Sequence, residues 1–257
     1  MPKKKRIKKP KRAKARAGAT SGGSATFKKA PRRIVELGPA EITPEERARA
    51  REVVKRLKKA HPRARVMLEW DGDPWRLLVA TILAAQCTDA RVNEVTPLLF
   101  KRFPTPERMA KAPLPILEKI IHPTGFFRNK SKSVKNASAA IVERFGGHLP
   151  RTMEEMLTLP GVARKTANVV LANALGVNSG VVVDTHNVRL SGRLGFVETE
   201  DPLVIESFWL AAAEAKDWPI VGHLLYCHGQ EVCTARKPDH AACVLKDICP
   251  SAEETPG

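Results

Sequence analysis

The sequence has little tyrosine, no long apolar run and no acidic residue before Glu36. It contains 1 tyrosine in 257 residues, and aromatic residues make up 5% of the chain. No hydrophobic stretch reaches the ~18 residues that span a bilayer, and the N-terminus lacks the apolar segment of a secretory signal. The 16 glycines and 20 prolines are too few for a low-complexity chain. We therefore expect a folded protein that is neither membrane-bound nor exported.

Positive charge is what the sequence has in excess. It carries 44 lysines and arginines against 27 acidic residues, a net charge of +17 that is typical of proteins that bind nucleic acid. Residues 1–33 hold 14 of these cations and no acid. Because such a segment repels itself and can bury little apolar area, residues 1–38 are predicted to be a disordered basic arm. A solvating tail, an arm that follows DNA phosphates and a nuclear-import signal all fit this composition.

Four of the five cysteines are crowded between Cys227 and Cys249. This crowding indicates a local metal site in a reducing compartment, and not the spread disulfides of a secreted protein. With His240, three of them form the spacing C-x6-H-x2-C-x5-C, in which thiolates and an imidazole suit zinc or an iron–sulfur centre. The candidate ligands are Cys233, His240, Cys243 and Cys249.

A short basic loop separates the first two candidate ligands. Its sequence, TARKPD, carries Arg236 and Lys237 between two anchored ends. Since backbone phosphates are bound mainly by such side chains, we expect the loop to contact DNA.

The remaining pattern is helical. Thr43 followed by Glu46 predicts a capping box that opens a helix through roughly Leu57. Further helices are predicted within residues 75–103, divided near 87–90, and at residues 106–121, 130–145, 153–158, 163–175, 185–194, 202–215 and 219–228. The only β-like stretch, residues 181–183, is too short for a sheet, so the fold class is all-α.

The stretch LPGVARKTANVVLANALG, residues 159–176, is a tight turn that leads directly into a helix. Pro160 fixes one backbone angle and Gly161 permits close approach, which predicts amides directed at a phosphate from the positive end of the helix. The candidate DNA contacts are Gly161, Val162, Ala163 and Arg164. A plain corner between two helices is the alternative interpretation.

Two residues near this turn are candidates for catalysis. Lys165 lies in the first helical turn, where the helix dipole disfavours an ammonium group, so that a lysine there suggests an amine nucleophile. Asp184 precedes THNVRL and is predicted to cap the next helix, which would hold its carboxylate ionised and fixed. If the two side chains meet, Asp184 could accept a proton or stabilise positive charge.

Together these motifs resemble the endonuclease III family of helix–hairpin–helix DNA glycosylases. The resemblance spans residues 74–249 and rests on LAAQCTDARVN, LPGVARKTANVVL, VDTHNVRL and HGQEVCTARKPD with the two cysteines that follow. It implies two helical domains with a cleft between them. Residues 67–178 would form a six-helix barrel, and residues 39–66 with 179–257 would form an iron–sulfur cluster domain.

The resemblance also implies a reaction. Lys165 would attack C1′ of a flipped nucleotide with Asp184 as the activating acid, releasing an oxidised pyrimidine such as thymine glycol and nicking the strand through a Schiff base. Gln86 would fill the space left by the flipped base, and Phe126 would wedge the opposite strand. We expect a monomer acting on damaged or abasic duplex DNA in the cytoplasm, associated with the nucleoid; a nuclear location fits the basic arm as well.

Two positions depart from the family. Ala163 stands where glycine is usual, so that this alanine is expected to need a glycine-like backbone or a bent hairpin. His240 stands where the family has cysteine. The expected cofactor is a [4Fe-4S] cluster with three cysteines and His240; a cluster with Cys227 as the fourth ligand, or zinc, is the alternative. An AP lyase with weak glycosylase activity and a non-catalytic DNA-binding protein are the alternative functions.

Overall fold

The computed structural model describes residues 40–252, and this part of the chain is helical, without a strand. The predicted basic arm lies outside the described residues. Within them, no helix is long and apolar enough to cross a membrane. The helices are α1 (Pro44–Ala60), α2 (Pro74–Leu83), α3 (Asp89–Arg102), α4 (Pro106–Ala110), α5 (Leu114–Ile121), α6 (Phe127–Phe145), α7 (Met153–Leu157), α8 (Arg164–Ala174), α9 (Thr185–Arg193), α10 (Pro202–Ala212) and α11 (Trp218–Glu231), with short 3₁₀ turns at His122–Thr124, Ala215–Asp217, Lys246–Ile248 and Pro250–Ala252.

The predicted capping box at the start of α1 is confirmed. The Glu46 amide donates to the Thr43 hydroxyl over 3.1 Å, and the Thr43 amide donates to the Glu46 carboxylate over 2.8 Å. Together they satisfy two amides that the helix leaves without partners. The capping motif therefore fixes where helix α1 begins.

The prediction of one helix over residues 106–121 is wrong. The segment forms α4 and α5, separated by a break at Lys111–Pro113. Pro113 has no amide hydrogen to continue the helix of α4, and with an extended backbone (ψ 126°) it becomes the N-cap residue of α5. A second proline, Pro115, lies in the first turn of α5, where it is tolerated.

Two hydrophobic cores organise the helices. The first draws on residues 68–171 with Val182, and its buried Trp75 donates its indole hydrogen to Ser138 over 3.1 Å. The second combines residues 50–64 with residues 181–245 and surrounds Trp209, which donates to Ser191 over 2.9 Å. Sequence segments change from one core to the other near residues 66 and 180; the exact domain boundaries stay a prediction.

The second core ties α1 to segments far along the chain. Arg49 donates to the Leu194 carbonyl over 2.5 Å, and Arg56 pairs with Asp247 over 2.5 Å while donating to the Val244 carbonyl over 3.0 Å. A long-range contact thus holds the C-terminal loop, with its cysteines, against α1.

A close approach between α11 and residues 181–183 fixes the path that leads to Asp184. A Cβ atom added at Gly222 would lie 2.5 Å from the Val182 carbonyl oxygen. The buried side-chain amide of Asn187 donates to the Gly222 carbonyl over 3.1 Å. Only glycine allows this contact, because the neighbour is backbone and cannot rotate away.

We expect Gly222→Ala to lower the free energy of unfolding by about 1–3 kcal/mol, since overpacking forces the two backbones apart. Urea-induced unfolding monitored by circular dichroism measures the change. Gly192→Ala is the matched control: it lies in α9, and its added Cβ would meet only the Val197 carbonyl oxygen, 4.0 Å away. That variant should be neutral or more stable by up to about 1 kcal/mol. Equal effects of the two substitutions would contradict the close approach.

Candidate active site and metal centre

The turn before α8 has the tight geometry that its sequence predicts. Gly161 adopts a positive φ of 79°, and a Cβ there would lie 2.5 Å from the Ser133 Cβ. The Val162 side chain is buried, and its amide donates to the Leu159 carbonyl over 3.2 Å. The Val162 amide is therefore already used within the turn and does not point outward as expected.

The first of the two expectations for Ala163, a glycine-like backbone, is wrong. Ala163 is the N-cap residue of α8 with φ −107° and ψ 169°, an extended backbone that any residue adopts. Glycine is not needed there. No side chain caps α8, so the amides of its first turn remain open to an outside acceptor.

Lys165 lies exposed in this open first turn. Within residues 40–252 no ion pair joins the Lys165 side chain to a carboxylate, but Lys165 acts electrostatically on Asp89 at the start of α3. Burial raises the pKa of Asp89, and the Lys165 ammonium opposes that rise. Asp89 is thus a half-buried acid beside the candidate nucleophile that sequence analysis did not single out.

Asp184 caps α9 as predicted. Its carboxylate accepts from the amides of His186 (2.8 Å) and Asn187 (3.0 Å), and the Asn187 side chain accepts from the Asp184 amide over 2.9 Å. The carboxylate is held rigidly, half-buried, at the positive end of the helix.

Tyr226 on α11 senses the charge of both acids, Asp89 and Asp184. Burial raises the pKa of its phenol, and the carboxylates of Asp89 and Asp184 raise it further. Its ring meets the His186 ring edge-on, with centroids 5.0 Å apart. His223 also senses Asp184: burial lowers the pKa of His223 and Asp184 opposes that shift. No sequence motif pointed to Tyr226 or His223, because helix α11 reaches the site only through tertiary packing.

A buried ionic network anchors the start of α8. Arg164 donates to both oxygens of Glu206 on α10 over 2.8 and 3.1 Å, and Asn168 donates to the same carboxylate over 2.8 Å. Glu206 is 3% exposed. The side chain of Arg164, one residue before Lys165, is therefore engaged inside the protein and leaves only its amide for a phosphate.

Gln86 and Phe126, the side chains expected to enter the duplex, are exposed, and both have a left-handed backbone conformation. Gln86 has φ 54° and Phe126 has φ 46°, left-handed values that are costly for residues other than glycine. Phe126 is 65% exposed and stands directly before α6. Such strain concentrates at functional sites, where the surrounding structure holds it in place.

Three thiols of the C-terminal loop, residues 233–249, lie close enough to influence one another electrostatically. Burial raises the pKa of Cys243 and of Cys249, and each also senses the thiol of Cys233. Arg193 on α9 donates to the Cys233 sulfur over 3.2 Å and to the Thr234 carbonyl over 2.7 Å. This anchor, missed by sequence analysis, fixes the start of the loop that carries the exposed Arg236 and Lys237.

The fourth candidate ligand, His240, has an unpartnered ring nitrogen. Its Nε2 atom is buried without a hydrogen-bond partner, a costly arrangement unless another group binds there. Among the described residues, no three His, Cys, Asp or Glu side chains are arranged to hold a single metal ion. The thiol of Cys227 has a different neighbour: burial raises its pKa, and the Glu231 carboxylate adds to the rise.

Comparison with known proteins gives a consistent result. Residues 79–210 match the family model of the HhH-GPD superfamily base excision DNA repair proteins, and residues 233–249 match the iron–sulfur binding domain of endonuclease III. The chain is 52% identical to endonuclease III of Synechocystis over 206 residues, covering 80% of this chain and 93% of that protein. The chain belongs to the endonuclease III family. Endonuclease III of Escherichia coli is 31% identical over 208 residues, with 81% of this chain and 98% of that protein covered.

Solved structures of endonuclease III have the same fold. A trapped endonuclease III–DNA covalent intermediate aligns with a TM-score of 0.76 at 35% identity, covering 83% of this chain and 99% of that one. A thermostable thymine-DNA glycosylase shares the fold alone, with a TM-score of 0.73 at 22% identity, covering 84% of this chain and 100% of that one. As a member of the endonuclease III family, the chain is a DNA glycosylase and AP lyase of base excision repair with a C-terminal iron–sulfur binding domain.

We expect Glu206→Gln to lower the free energy of unfolding by about 3 kcal/mol, because Arg164 loses a buried ionised partner. Strand nicking should slow as well, since the first turn of α8 carries Lys165. Denaturant unfolding and a nicking assay on abasic duplex measure the two effects. Glu94→Gln breaks an exposed pair with Arg91 and should cost less than about 1 kcal/mol with no change in nicking. Unchanged stability of Glu206→Gln would contradict the anchoring role.

Proposed function

We propose that Lys165 is the attacking amine of this glycosylase and lyase, and that Asp184 is the carboxylate that activates it. The observation that carries the proposal is the exposed ammonium of Lys165 on the uncapped first turn of α8. The Asp89 carboxyl senses the Lys165 ammonium, and the Asp184 carboxylate, which is held by the α9 amides, shares Tyr226 with Asp89 as a neighbour. Exposure allows Lys165 to reach a substrate, and the fixed carboxylate supplies a proton acceptor.

The proposed substrate is duplex DNA that contains an oxidised pyrimidine, such as thymine glycol, or an abasic site. Two solved relatives are endonuclease III bound to DNA, one covalently and one not. The net charge of +17 favours a polyanion. Phosphate contacts are assigned to the open amides of Ala163 and Arg164, to the close approach allowed by Gly161, and to the side chains of Arg236 and Lys237. We propose that the protein acts as a monomer in the cytoplasm.

The reaction begins with nucleotide flipping, since C1′ is inaccessible inside the stack. The Asp184 carboxylate takes a proton from the Lys165 ammonium, and Nζ then forms a bond to C1′ as the bond from C1′ to the base breaks. The base leaves with the electron pair of that bond and takes up the second amine proton. The C1′–O4′ bond then breaks, Asp184 returns its proton to O4′, and a protonated Schiff base joins Nζ and C1′. Loss of a C2′ proton then expels the 3′ phosphate, which nicks the strand.

Gln86 and Phe126 are proposed to hold the opened duplex. Both project from left-handed backbone into solvent, on segments that immediately precede a helix. Gln86 would replace the flipped nucleotide, and Phe126 would enter the opposite strand. The backbone strain of about 1–3 kcal/mol per residue is consistent with a rigid presentation of both side chains.

The proposed ligands of the iron–sulfur centre are Cys233, His240, Cys243 and Cys249. The unpartnered Nε2 atom of His240 supports this set, because a ligand bond would satisfy it. The match of residues 233–249 to an iron–sulfur binding domain favours a [4Fe-4S] cluster over zinc at these side chains. When bound, the cluster would crosslink the loop and fix Arg236 and Lys237. Cys227 is the alternative fourth ligand.

Borohydride trapping tests the nucleophile and the substrate together. Wild type should form a covalent adduct with a thymine glycol duplex and with an abasic duplex, and Lys165→Gln should form none while still binding DNA. Lys132→Gln, an exposed lysine on α6, is the control and should trap like wild type. Asp184→Asn should slow base release by at least about 100-fold, the usual contribution of a general base, and keep its fold.

Other outcomes point elsewhere. Equal trapping by Lys165→Gln would remove Lys165 as the nucleophile. An adduct confined to the abasic duplex would leave a lyase with weak glycosylase activity.

The ligand set has its own test. His240→Ala should reduce the iron content and the broad absorbance near ~400 nm, whereas His240→Cys should keep both and lower the reduction potential, because thiolate replaces imidazole. Iron and zinc are measured by elemental analysis, with Cys87→Ser as the control. Loss of iron in Cys227→Ser but not in His240→Ala would assign the fourth position to Cys227.

A further inference from the structure

Two buried histidines stand in line behind the cysteine loop. His61 is the C-cap residue of α1 and His228 lies on α11; they are 9% and 2% exposed. The His61 Nε2 atom is 3.2 Å from the His228 Nδ1 atom. The His228 Nε2 atom is in turn 3.4 Å from the Cys243 sulfur.

The line reaches solvent at its other end. The His61 Nδ1 atom is 3.3 Å from a carboxylate oxygen of Glu231, whose side chain is 63% exposed. Glu231, His61 and His228, called the histidine chain below, therefore connect the surface to the sulfur of one proposed cluster ligand. Every ring nitrogen in it faces a partner.

The donor and acceptor roles along the histidine chain follow from the cysteine at its inner end. A cysteine that ligates iron is a thiolate and can only accept, so the His228 Nε2 atom must carry the hydrogen. The His228 Nδ1 atom is then an acceptor and needs a donor, which the His61 Nε2 atom supplies. The Glu231 carboxylate lies 3.3 Å from the His61 Nδ1 atom and marks the solvent end of the histidine chain.

We propose that His61 is a positioning residue for the iron–sulfur cluster: it holds His228 in the tautomer whose Nε2 hydrogen is donated to the Cys243 sulfur. The inference rests on the cluster proposed above. A hydrogen bond to a ligand sulfur withdraws electron density from the iron, which stabilises the reduced cluster and raises its reduction potential. Groups behind the ligands also govern how firmly a metal site holds its ion.

The surroundings favour this role over simple packing. The histidine chain borders the second hydrophobic core, near Leu57, Leu224 and Leu225, where an apolar side chain would fill space without desolvating a ring nitrogen. A buried polar network persists at low cost only when each member is satisfied. The His228 ring meets that condition, with His61 at one nitrogen and the Cys243 sulfur at the other.

The test compares two substitutions of His61 in the full-length, cluster-containing enzyme. His61→Phe keeps a ring and removes the donor, whereas His61→Gln keeps an N–H group near the position of Nε2. The exposed His148, changed to Phe, is the control. Reduction potential is measured by redox titration, and cluster loss in ferricyanide by the decay of absorbance near ~400 nm.

His61→Phe should lower the reduction potential and lose its cluster about 10-fold faster than wild type. His61→Gln and His148→Phe should stay close to wild type in both properties. An unchanged potential in His61→Phe would overturn the proposal. So would equal shifts in the Phe and Gln variants that follow their melting temperatures, since that result assigns His61 a packing role only.

A measurement on wild type covers the case in which His61→Phe does not fold. In protein labelled with ¹⁵N-histidine, the nitrogen shifts of His228 should report a protonated Nε2 and an unprotonated Nδ1. The opposite tautomer would overturn the proposal. Iron analysis separates the two levels of inference: zinc in place of iron would overturn the cluster and this proposal together, whereas a normal iron content with the opposite tautomer would overturn this proposal alone.

Discussion

The buried contact between Arg164 and Glu206 is the constraint on which the site depends. The Glu206 carboxylate is removed from water and depends on the partly buried Arg164 for its counter-charge, and it also accepts a hydrogen bond from Asn168 on the same helix as Arg164. Through this pair the start of α8 is fastened to α10. Because Lys165 is the next residue, the position of the proposed nucleophile follows from an interaction that never touches the substrate.

The parts of the structure that local chemistry controls could be predicted from the sequence. The capping box at Thr43, the N-cap at Asp184 and the tight turn at Gly161 depend mainly on neighbouring residues, and each forms as expected. The break inside residues 106–121 was also encoded locally, in Pro113, yet the surrounding helical pattern concealed it. The glycine-like backbone expected of Ala163 proved unnecessary, because a helix N-cap residue is extended and imposes no positive φ.

The site residues that could not be predicted from the sequence are those whose position depends on tertiary packing. Asp89, Tyr226 and Arg193 lie on different helices, far from one another in sequence. Tyr226 and Arg193 lie outside the motifs, and Asp89 lies within LAAQCTDARVN, where the motif assigned it no role. Periodicity indicates which face of a helix is buried, but not which polar group it meets. The two left-handed residues, Gln86 and Phe126, were candidates only through family resemblance, since backbone strain cannot be read from residue type.

The two cores differ in how their segments are distributed along the chain, and this difference has a consequence for biosynthesis. The first core is built almost entirely from one continuous stretch, residues 68–171, and can assemble as soon as that stretch leaves the ribosome. The second pairs α1 with residues 181–245. Helix α1 emerges first yet must wait for its partners until nearly all the described chain has been translated. The residues proposed to hold the cluster, 233–249, are translated later still, so that loading of the cluster would follow assembly of the first core.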